Sequence, residues 1–487
     1  MLKKHILFII VIISYISLSQ NAEDVLRYSL YNNYTTARVS ALGGSFGSLG
    51  GNIGAVTLNP ATLGIYRTEE ISITLASDNE TIQSEFDSEG LAISYAETNR
   101  YKFFIQNLSY VKSIPIDGDW NRINMSVNLN RSRDLNRQIY IEGMLPASSS
   151  MVNNFFLSQA EGLDPYDLNY FDGTASAYWT NLIDLDTINN EYFSNFAPEG
   201  INNRLTLDET GYINEYSFSF SGSYKDFLFV GLSVNFLDMS FQQYKRYSES
   251  SILPYENGGE EFIYNTDLSV TGEGGNFKIG AILKPIPSIR IGWSYHSPTY
   301  YSLYELYTSD MTFNSSDGTM IDYFDPDLDS EQEIHEGYYD IITPVKTVSS
   351  LAFIFAKKGL ITVDYETLDY GSARFEPDLN WSYSQENTDI SDSYTKTYNI
   401  KAGIEWKFKK MAIRSGYARY GSPFENDLND GSRQYMSAGI GLQNGPYFID
   451  IAVIQSLEEE YYTLYNDQAA NIKNNGTTIM LSCSYEF

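Results

Sequence analysis

A transmembrane β-barrel, all-β and antiparallel, is the fold class this sequence predicts, and three observations predict it. The chain carries no apolar run of spanning-helix length, its long segments alternate apolar with polar residues, and tight turns alternate with long polar stretches. A spanning helix needs about 20 apolar residues, whereas the longest run, Ile6 to Leu18, has 13. Composition agrees. Of 487 residues 15% are aromatic, with 41 Tyr, and only 19% are charged, against about 25% in typical soluble domains. The formal charge of −30 argues against a nucleic-acid partner, because phosphate binding needs a basic face. One cysteine, Cys483, leaves no intramolecular disulfide framework. With it, three histidines (His5, His296, His335) offer little material for zinc or haem, so no cofactor is expected.

The elements follow in chain order. Lys3, Lys4 and His5 precede the short apolar run, and Ser17 and Ser19 supply small residues after it. This is a secretory signal, residues 1–19, cleaved after Ser19. No cysteine follows it directly, so no lipid anchor is expected there. Residues 20–67 form an N-terminal plug, and 68–487 form the barrel. In the barrel, Ile123, Met125, Val127 and Leu129 alternate with Asn124, Ser126, Asn128 and Asn130. Tyr398, Ile400, Ala402, Ile404, Trp406 and Phe408 alternate with Asn399, Lys401, Gly403, Glu405 and Lys407, and the last strand alternates up to Phe487. A soluble sandwich shares this period of two, but strand lengths favour spanning strands of about 9–11 residues.

Turns at Lys225-Asp226, Lys284 to Ser288, Lys357 to Gly359, Lys409-Lys410 and Asn444 to Pro446 are tight. Between them lie long polar stretches at 135–210, 243–260, 309–338, 378–392, 422–432 and 458–473. That asymmetry is the outer-membrane pattern, short turns facing the periplasm and long loops outside. Both chain ends then lie on one side, so the strand count is even. Fourteen strands are predicted: 69–77, 100–112, 121–133, 211–225, 227–242, 261–284, 289–308, 339–357, 359–377, 393–409, 411–421, 433–443, 445–457 and 474–487. Leu91 to Glu97 is an extracellular extension, and Gly272 to Gly275 a bulge inside the sixth strand. Multi-pass insertion in the cell outer membrane of a Gram-negative bacterium, against outer-membrane lipid, follows.

The plug is rich in small residues, Ser40 to Gly51 and then Asn59-Pro60-Ala61-Thr62-Leu63-Gly64. No Gly-Lys-Ser/Thr follows its glycines, so it is not a phosphate loop. A fourteen-stranded lumen is too wide for its own side chains to fill, and 48 residues could close it. An Ala-Leu-Gly-Gly stretch followed by Asn-Pro-Ala before the first strand resembles the hatch of the FadL family of outer-membrane long-chain fatty-acid transporters, with relatives that admit aromatic hydrocarbons. The resemblance implies a 14-stranded barrel, an N-terminal hatch, a hydrophobic small-molecule ligand and no enzyme activity. Asn59, Pro60 and Ala61 match the hatch motif, although Thr62 stands where the family usually has glycine. The family's third strand is kinked and opens the wall sideways; strand 121–133 has no Gly or Pro and is expected to be unbroken.

In the loop 135–210, Ser148 to Ala160 (Met151, Val152, Phe155, Phe156, Leu157) and Ala175 to Leu185 (Tyr178, Trp179, Leu182, Ile183) have helical apolar spacing. Either the two helices pack on each other and the rim, or they form a capture site. Phe155, Phe156, Trp179 and Ile183 are the candidate ligand-binding residues. Asp325, Asp327, Asp329 and Glu336 stand at positions 1, 3, 5 and 12 of a calcium-loop pattern. Ser330 replaces the loop's glycine, and a solvated acidic loop is the plainer reading. Cys483 lies on the apolar parity and should face lipid, and Lys401, Glu405 and Lys407 on the lumen parity should pair with each other. Two functions remain: passive transport of hydrophobic molecules, or a scaffold barrel whose loops hold a partner protein.

Overall fold

The computed structural model describes residues 21–487 apart from 33, 88–92, 197–199, 253–259, 316–318, 323–334, 356–357, 378–381, 427–428 and 467. The signal segment 1–19 lies outside the described residues. Fourteen antiparallel strands close into one barrel. They are β1 (Glu70–Asp87), β2 (Ile93–Pro115), β3 (Trp120–Asp134, continued by Arg137–Pro146), β4 (Gly200–Tyr224), β5 (Leu228–Ser251), β6 (Glu261–Ile286) and β7 (Ile289–His296, continued by Tyr300–Asn314). Then follow β8 (His335–Ile342, continued by Lys346–Phe355), β9 (Gly359–Asp369), β10 (Lys396–Phe408), β11 (Met411–Tyr420), β12 (Arg433–Asn444), β13 (Tyr447–Tyr465) and β14 (Gln468–Glu486). The ladder between β1 and β14, from Glu70↔Glu486 to Phe86↔Ala470, closes the ring and leaves no edge there.

Which face is apolar identifies the solvent. On β4, Tyr216, Phe218 and Phe220 are exposed while Ser217, Ser219 and Ser221 are buried. On β3, Ile123, Met125 and Val127 face out and Asn124, Ser126 and Asn128 face in. A water-soluble sandwich would show the reverse; this inversion is the lipid band of a spanning barrel. Cys483 is exposed on that band, paired between Ile73 and Ile449. The tight turns adopt left-handed conformations: Lys225 (φ 51) and Asp226 (φ 53) in the three-residue loop between Tyr224 and Leu228, and Lys409 (φ 56) and Gly445 (φ 63) in two-residue hairpins.

The strands run further than the alternation predicts. The expected loop 458–473 is a hairpin: β13 extends to Tyr465 and β14 starts at Gln468. Both ends of the expected loop 135–210 are strand, Arg137–Pro146 against Gly200–Glu209. Stretch 243–260 is strand as far as Ser251. Beyond the lipid band the apolar residues change sides: on β4 Tyr216, Phe218 and Phe220 face out, whereas Ile201, Leu205 and Leu207 are buried, so the outward apolar period breaks while the ladder continues. The bulge expected at Gly272 to Gly275 is displaced. β6 pairs with β5 without a register shift, and the irregularity sits in the neighbouring β7 at Ser297-Pro298-Thr299, where proline cannot donate to the ladder.

Candidate functional site

The lumen is filled from the turn end by residues 37–66, which rest on wall glycines at 41–43, 47–48 and 59–61. Glycines in a strand interior let another backbone approach closely. A Cβ on Gly231 would stand 2.5 Å from Ala61 N, and one on Gly403 2.6 Å from Leu42 O. Gly439 would meet the Ala41 Cβ at 2.6 Å and Gly292 the Gly47 carbonyl at 2.7 Å. Asn59 is buried; its Oδ1 accepts from Ala61 N–H at 3.0 Å, capping the turn Pro60–Ile65, and its Nδ2 donates to Gly47 O at 2.7 Å. Pro60 occupies the first position of that turn, where its missing N–H is harmless. Residues 43–47 also spell Gly-x-Ser-x-Gly, the pattern of a hydrolase nucleophile. Ser45 Oγ is 3.2 Å from the Thr362 hydroxyl, and its turn does not join a strand to a helix.

Charge holds the plug as well. Arg38 bonds both oxygens of Glu405 on β10, at 3.0 and 3.1 Å. Arg414 on β11 donates to the same Glu405 at 2.7 Å and to Asp450 on β13 at 2.6 Å. Lys401, expected to join Glu405, instead pairs with Glu366 on β9, which also accepts from Tyr31 OH at 2.7 Å. Lys407 reaches Glu405 only at 3.7 Å. One network therefore becomes two, because Lys401 and Glu405 are four residues apart on one strand and address different levels of the lumen.

Above this block, α1 (Ala22–Ser29) and the following residues separate two cavities. The lower, about 100 Å³, is polar, bordered by Tyr28, Tyr31, Lys278, His296 and Lys346. Lys278 pairs with Glu215 at 2.6 Å, His296 Nε2 lies 2.9 Å from Leu58 O, and Lys346 stands 3.7 Å over the Tyr31 ring. The upper cavity is about 510 Å³ and mixes Leu26, Leu30, Ile82, Phe241 and Ile472 with Arg133, Arg433 and Glu458. Arg133 Nη1 is buried with no hydrogen-bond partner among the described residues, and Arg433 donates to the neutral Asn32 Oδ1 at 3.2 Å.

The upper cavity borders a parting of the wall. The ladder between β2 and β3 ends at Asn107↔Asn130. Beyond it β2 stays paired with β1 and β3 with β4, through a bulge at Arg131–Arg133. Side chains bridge the parting: Lys102 Nζ to Asp134 at 2.9 Å, Arg100 Nη1 to Asp208 at 3.0 Å, and Thr98 Oγ1 to Gln138 O at 2.6 Å. The tip of β3 leans inward, so that a Cβ on Gly143 would meet the Phe86 ring at 2.9 Å. The expectation of an unbroken third strand is thus corrected. A bulge and the loss of one ladder bend it without Gly or Pro in 121–133.

The segment between the two strands, 147–196, forms a lid. Its first helix is a π-type turn, Val152–Phe156, running into Leu157–Ala160. Its second is shorter than expected, Thr174–Trp179, and Ile183–Asp186 is strand paired with Glu191–Ser194. Phe156 and Ile183 are fully buried in a core shared with Phe262 and Tyr247 of the rim, and Phe155 packs against it. Trp179 is 37% exposed on the outer face. None of the four candidate residues borders either cavity. The Glu249 carboxylate ties the lid down, accepting from Met151 N at 2.7 Å and Ser150 Oγ at 2.5 Å. Burial raises the Asp172 carboxyl above its ordinary value, whereas hydrogen bonds from Ile188 N–H and the Asn189 side chain lower that of exposed Asp186.

Of the calcium candidates, Asp325, Asp327 and Asp329 lie outside the described residues; Glu336 is exposed on β8 and accepts from Tyr304 OH at 2.6 Å. His335 packs edge-on to Phe171, ring centroids 4.8 Å apart. Arg38, Arg133 and Arg433 were not among the sequence candidates. For Arg38 and Arg433 the signal was available, since each is an isolated cation among small or alternating residues; Arg133 stands between Arg131 and Arg137 and carries no such mark.

These features define a class: a fourteen-stranded outer-membrane β-barrel with its own N-terminal segment in the lumen and a break beside its third strand. Among solved structures the chain is similar to a Pseudomonas aeruginosa FadL homologue (15% identity, TM-score 0.57, 93% of this chain and 98% of that one). It is also similar to the Pseudomonas putida toluene transporter TodX (14%, TM-score 0.52, 93% and 99%). The chain therefore shares the fold of FadL-type channels. No family model and no curated protein matches its sequence.

Proposed function

We propose that this barrel passes hydrophobic small molecules, long-chain fatty acids among them, across the outer membrane down their gradient. The observation that carries the reading is the 510 Å³ cavity lying directly behind the parting between β2 and β3, lined there by Asp134, Leu135, Asn136 and Arg137. A pocket against a wall that lacks its ladder lets a ligand leave sideways into the bilayer. Each buried methylene is worth about 0.8 kcal/mol, so an alkyl chain gains nothing by entering the polar lower cavity. Plug residues Asn59, Pro60 and Ala61 are held on the wall and keep the downward path shut, while α1 is the part that shifts. For an acyl ligand, Arg133 and Arg433 are the groups that take the carboxylate; a neutral hydrocarbon would leave them unused. Phe155, Phe156, Trp179 and Ile183 form the greasy roof the ligand meets first, and capture through Phe156 and Ile183 requires that roof to loosen. The solved neighbours described as a FadL homologue and a toluene transporter support transport as the class.

The test is mass spectrometry of lipids co-purifying with the detergent-extracted barrel, in native form and as Arg133→Ala with Arg433→Ala. Fatty acids enriched in the native protein and lost in the variant support the reading. A native protein free of apolar ligand would favour the scaffold function instead.

A further inference from the structure

The lid has two faces, and of the outer one the transport reading uses only Trp179. Its inner face is the core that packs on the rim through Val152, Phe156, Ala160, Ala177 and Ile183. Its outer face carries a row of rings that starts at this core, where Tyr178 and Tyr192 pack partly buried, and runs out to Trp179 and Tyr166. Tyr166 and Trp179 lie 5.8 Å apart, Trp179 and Tyr178 5.1 Å, and Tyr178 and Tyr192 6.1 Å. Tyr166 is 83% exposed, and Leu163 and Phe193 beside the row are 44% and 43% exposed. Large apolar side chains collected on a surface mark an interaction site far more often than scattered ones do.

The charge of the same segment says what it would meet. Residues 147–199 contain eight Asp or Glu and no Lys, Arg or His; the nearest cations in sequence are Arg137 and Arg204. Glu405 and Glu209 of the barrel are met by cations; on the lid no carboxylate can be met from within the segment. Asp164 lies at the row, its Oδ1 accepting from Tyr166 N–H at 3.1 Å, and Asp184 pairs with Phe193 on the strand that carries Tyr192. Aromatic faces attract cations through their quadrupole, and neighbouring carboxylates add to the attraction. The same charge repels phosphate-bearing surfaces, which excludes anionic lipid headgroups and nucleic acid as occupants. Length argues for a chain rather than a small cation: four rings in series, each 5–6 Å from the next, outrun a single ammonium group.

We propose that the outer face of the lid docks a basic protein segment, its Arg or Lys side chains laid over Tyr166, Trp179 and Tyr178 with Asp164 and Asp184 at their flank. This goes beyond transport, which invokes only Trp179 among these residues, and none of them borders either cavity described above.

The experiment uses the full chain in nanodiscs of neutral phosphatidylcholine. A labelled twelve-residue peptide of the repeat Arg-Gly-Leu is titrated by fluorescence anisotropy, with a Glu-Gly-Leu peptide beside it. The Arg peptide should bind and weaken with salt, and the Glu peptide should not bind. Tyr166→Ala with Trp179→Ala leaves the net charge unchanged and should weaken binding roughly tenfold. Asp164→Asn with Asp184→Asn should weaken it by a similar factor. Glu425→Gln with Asp430→Asn removes the same charge from another loop and should change affinity less than twofold. Tyr166→Ala alone, at an exposed ring, covers the case in which the double variant misfolds, and should weaken binding severalfold. No binding by the native protein, equal binding by the aromatic variants, or an equal loss in the Glu425/Asp430 control would each overturn the proposal.

Discussion

The fit between plug and wall predicts what a single methyl group should do. Gly231 on β5 and Gly416 on β11 sit on opposite stretches of the plug. A Cβ at Gly231 would stand 2.5 Å from Ala61 N, and one at Gly416 would stand 2.8 Å from Gly43 Cα. Unstrained contact needs about 3.5–4.0 Å, so each Ala substitution forces a displacement on the order of 1 Å. The wall cannot yield, because Gly231 pairs with Ser221 and Gly280 on its two sides, and Gly416 with Gly403 and Ser437. The plug must move instead. Overpacking of this kind costs about 1–3 kcal/mol per site, hence about 2–6 kcal/mol for Gly231→Ala with Gly416→Ala, provided the sites act independently. In planar bilayers the double variant should conduct small ions well above the native baseline, and trypsin should reach Arg38 sooner. Gly275→Ala is the control, since a Cβ there meets only Asn235 O at 3.7 Å. A correctly folded double variant with native conductance and native resistance to trypsin would refute the reasoning.

Glu405→Gln removes the shared partner of Arg38 and Arg414. Arg414 keeps Asp450, whereas Arg38, whose side chain is 18% exposed, loses its carboxylate partner at a cost below the roughly 3–5 kcal/mol of a fully buried pair, so the plug should be cut faster at Arg38 while the heat-modifiable barrel band persists. Tags placed between Asn314 and His335 should label on intact cells, and tags in the Lys357–Gly359 turn should not; the opposite pattern would invert the barrel. Phe155→Ser with Phe156→Ser removes a fully buried ring from the lid core, a loss of about 3–5 kcal/mol for Phe156 alone. Fatty-acid binding should then weaken more than tenfold with the barrel still folded. Native affinity in that variant would place capture elsewhere.

The membrane part of the fold was legible because lipid imposes a strict rule on it. Every second residue of a segment such as Ile123 to Leu129 must be apolar, and the rule is visible without any alignment. The extensions were not legible, because lipid no longer imposes it there: on β4 the apolar residues move to the inward face, at Ile201, Leu205 and Leu207, and on β13 they lapse. Glu458, Glu459 and Glu460 belong to a strand whose two faces are both wet or polar, so a ladder that runs to Tyr465 looks like loop. The break in β3 was missed for a related reason. Gly and Pro were sought, but the bend comes from a bulge at Arg131–Arg133 and a ladder that stops, neither of which has a residue signature. In the plug, Asn59, Pro60 and Ala61 could be singled out by motif, whereas the wall glycines that receive them, Gly231 and Gly280, and the one that receives Gly47, Gly292, are scattered over three strands and converge only in the closed barrel.

That convergence bears on the route a greasy ligand takes. Below α1 the lumen offers it the Lys278–Glu215 pair, His296 and Lys346. Each is a group whose desolvation against an alkyl chain is unfavourable. Above α1 the upper cavity offers Leu26, Leu30, Ile82, Phe241 and Ile472, and its far side is the parting where β2 and β3 share no ladder. The residues that close this parting, Lys102 with Asp134 and Arg100 with Asp208, are partly exposed side-chain pairs, which contribute about 1 kcal/mol or less each. Moving the plug, by contrast, means breaking the bidentate Arg38–Glu405 contact and lifting backbone off a row of wall glycines. In the transport reading the sideways path is therefore the one of lower cost, and the plug's function is to stay in place while its leading helix yields.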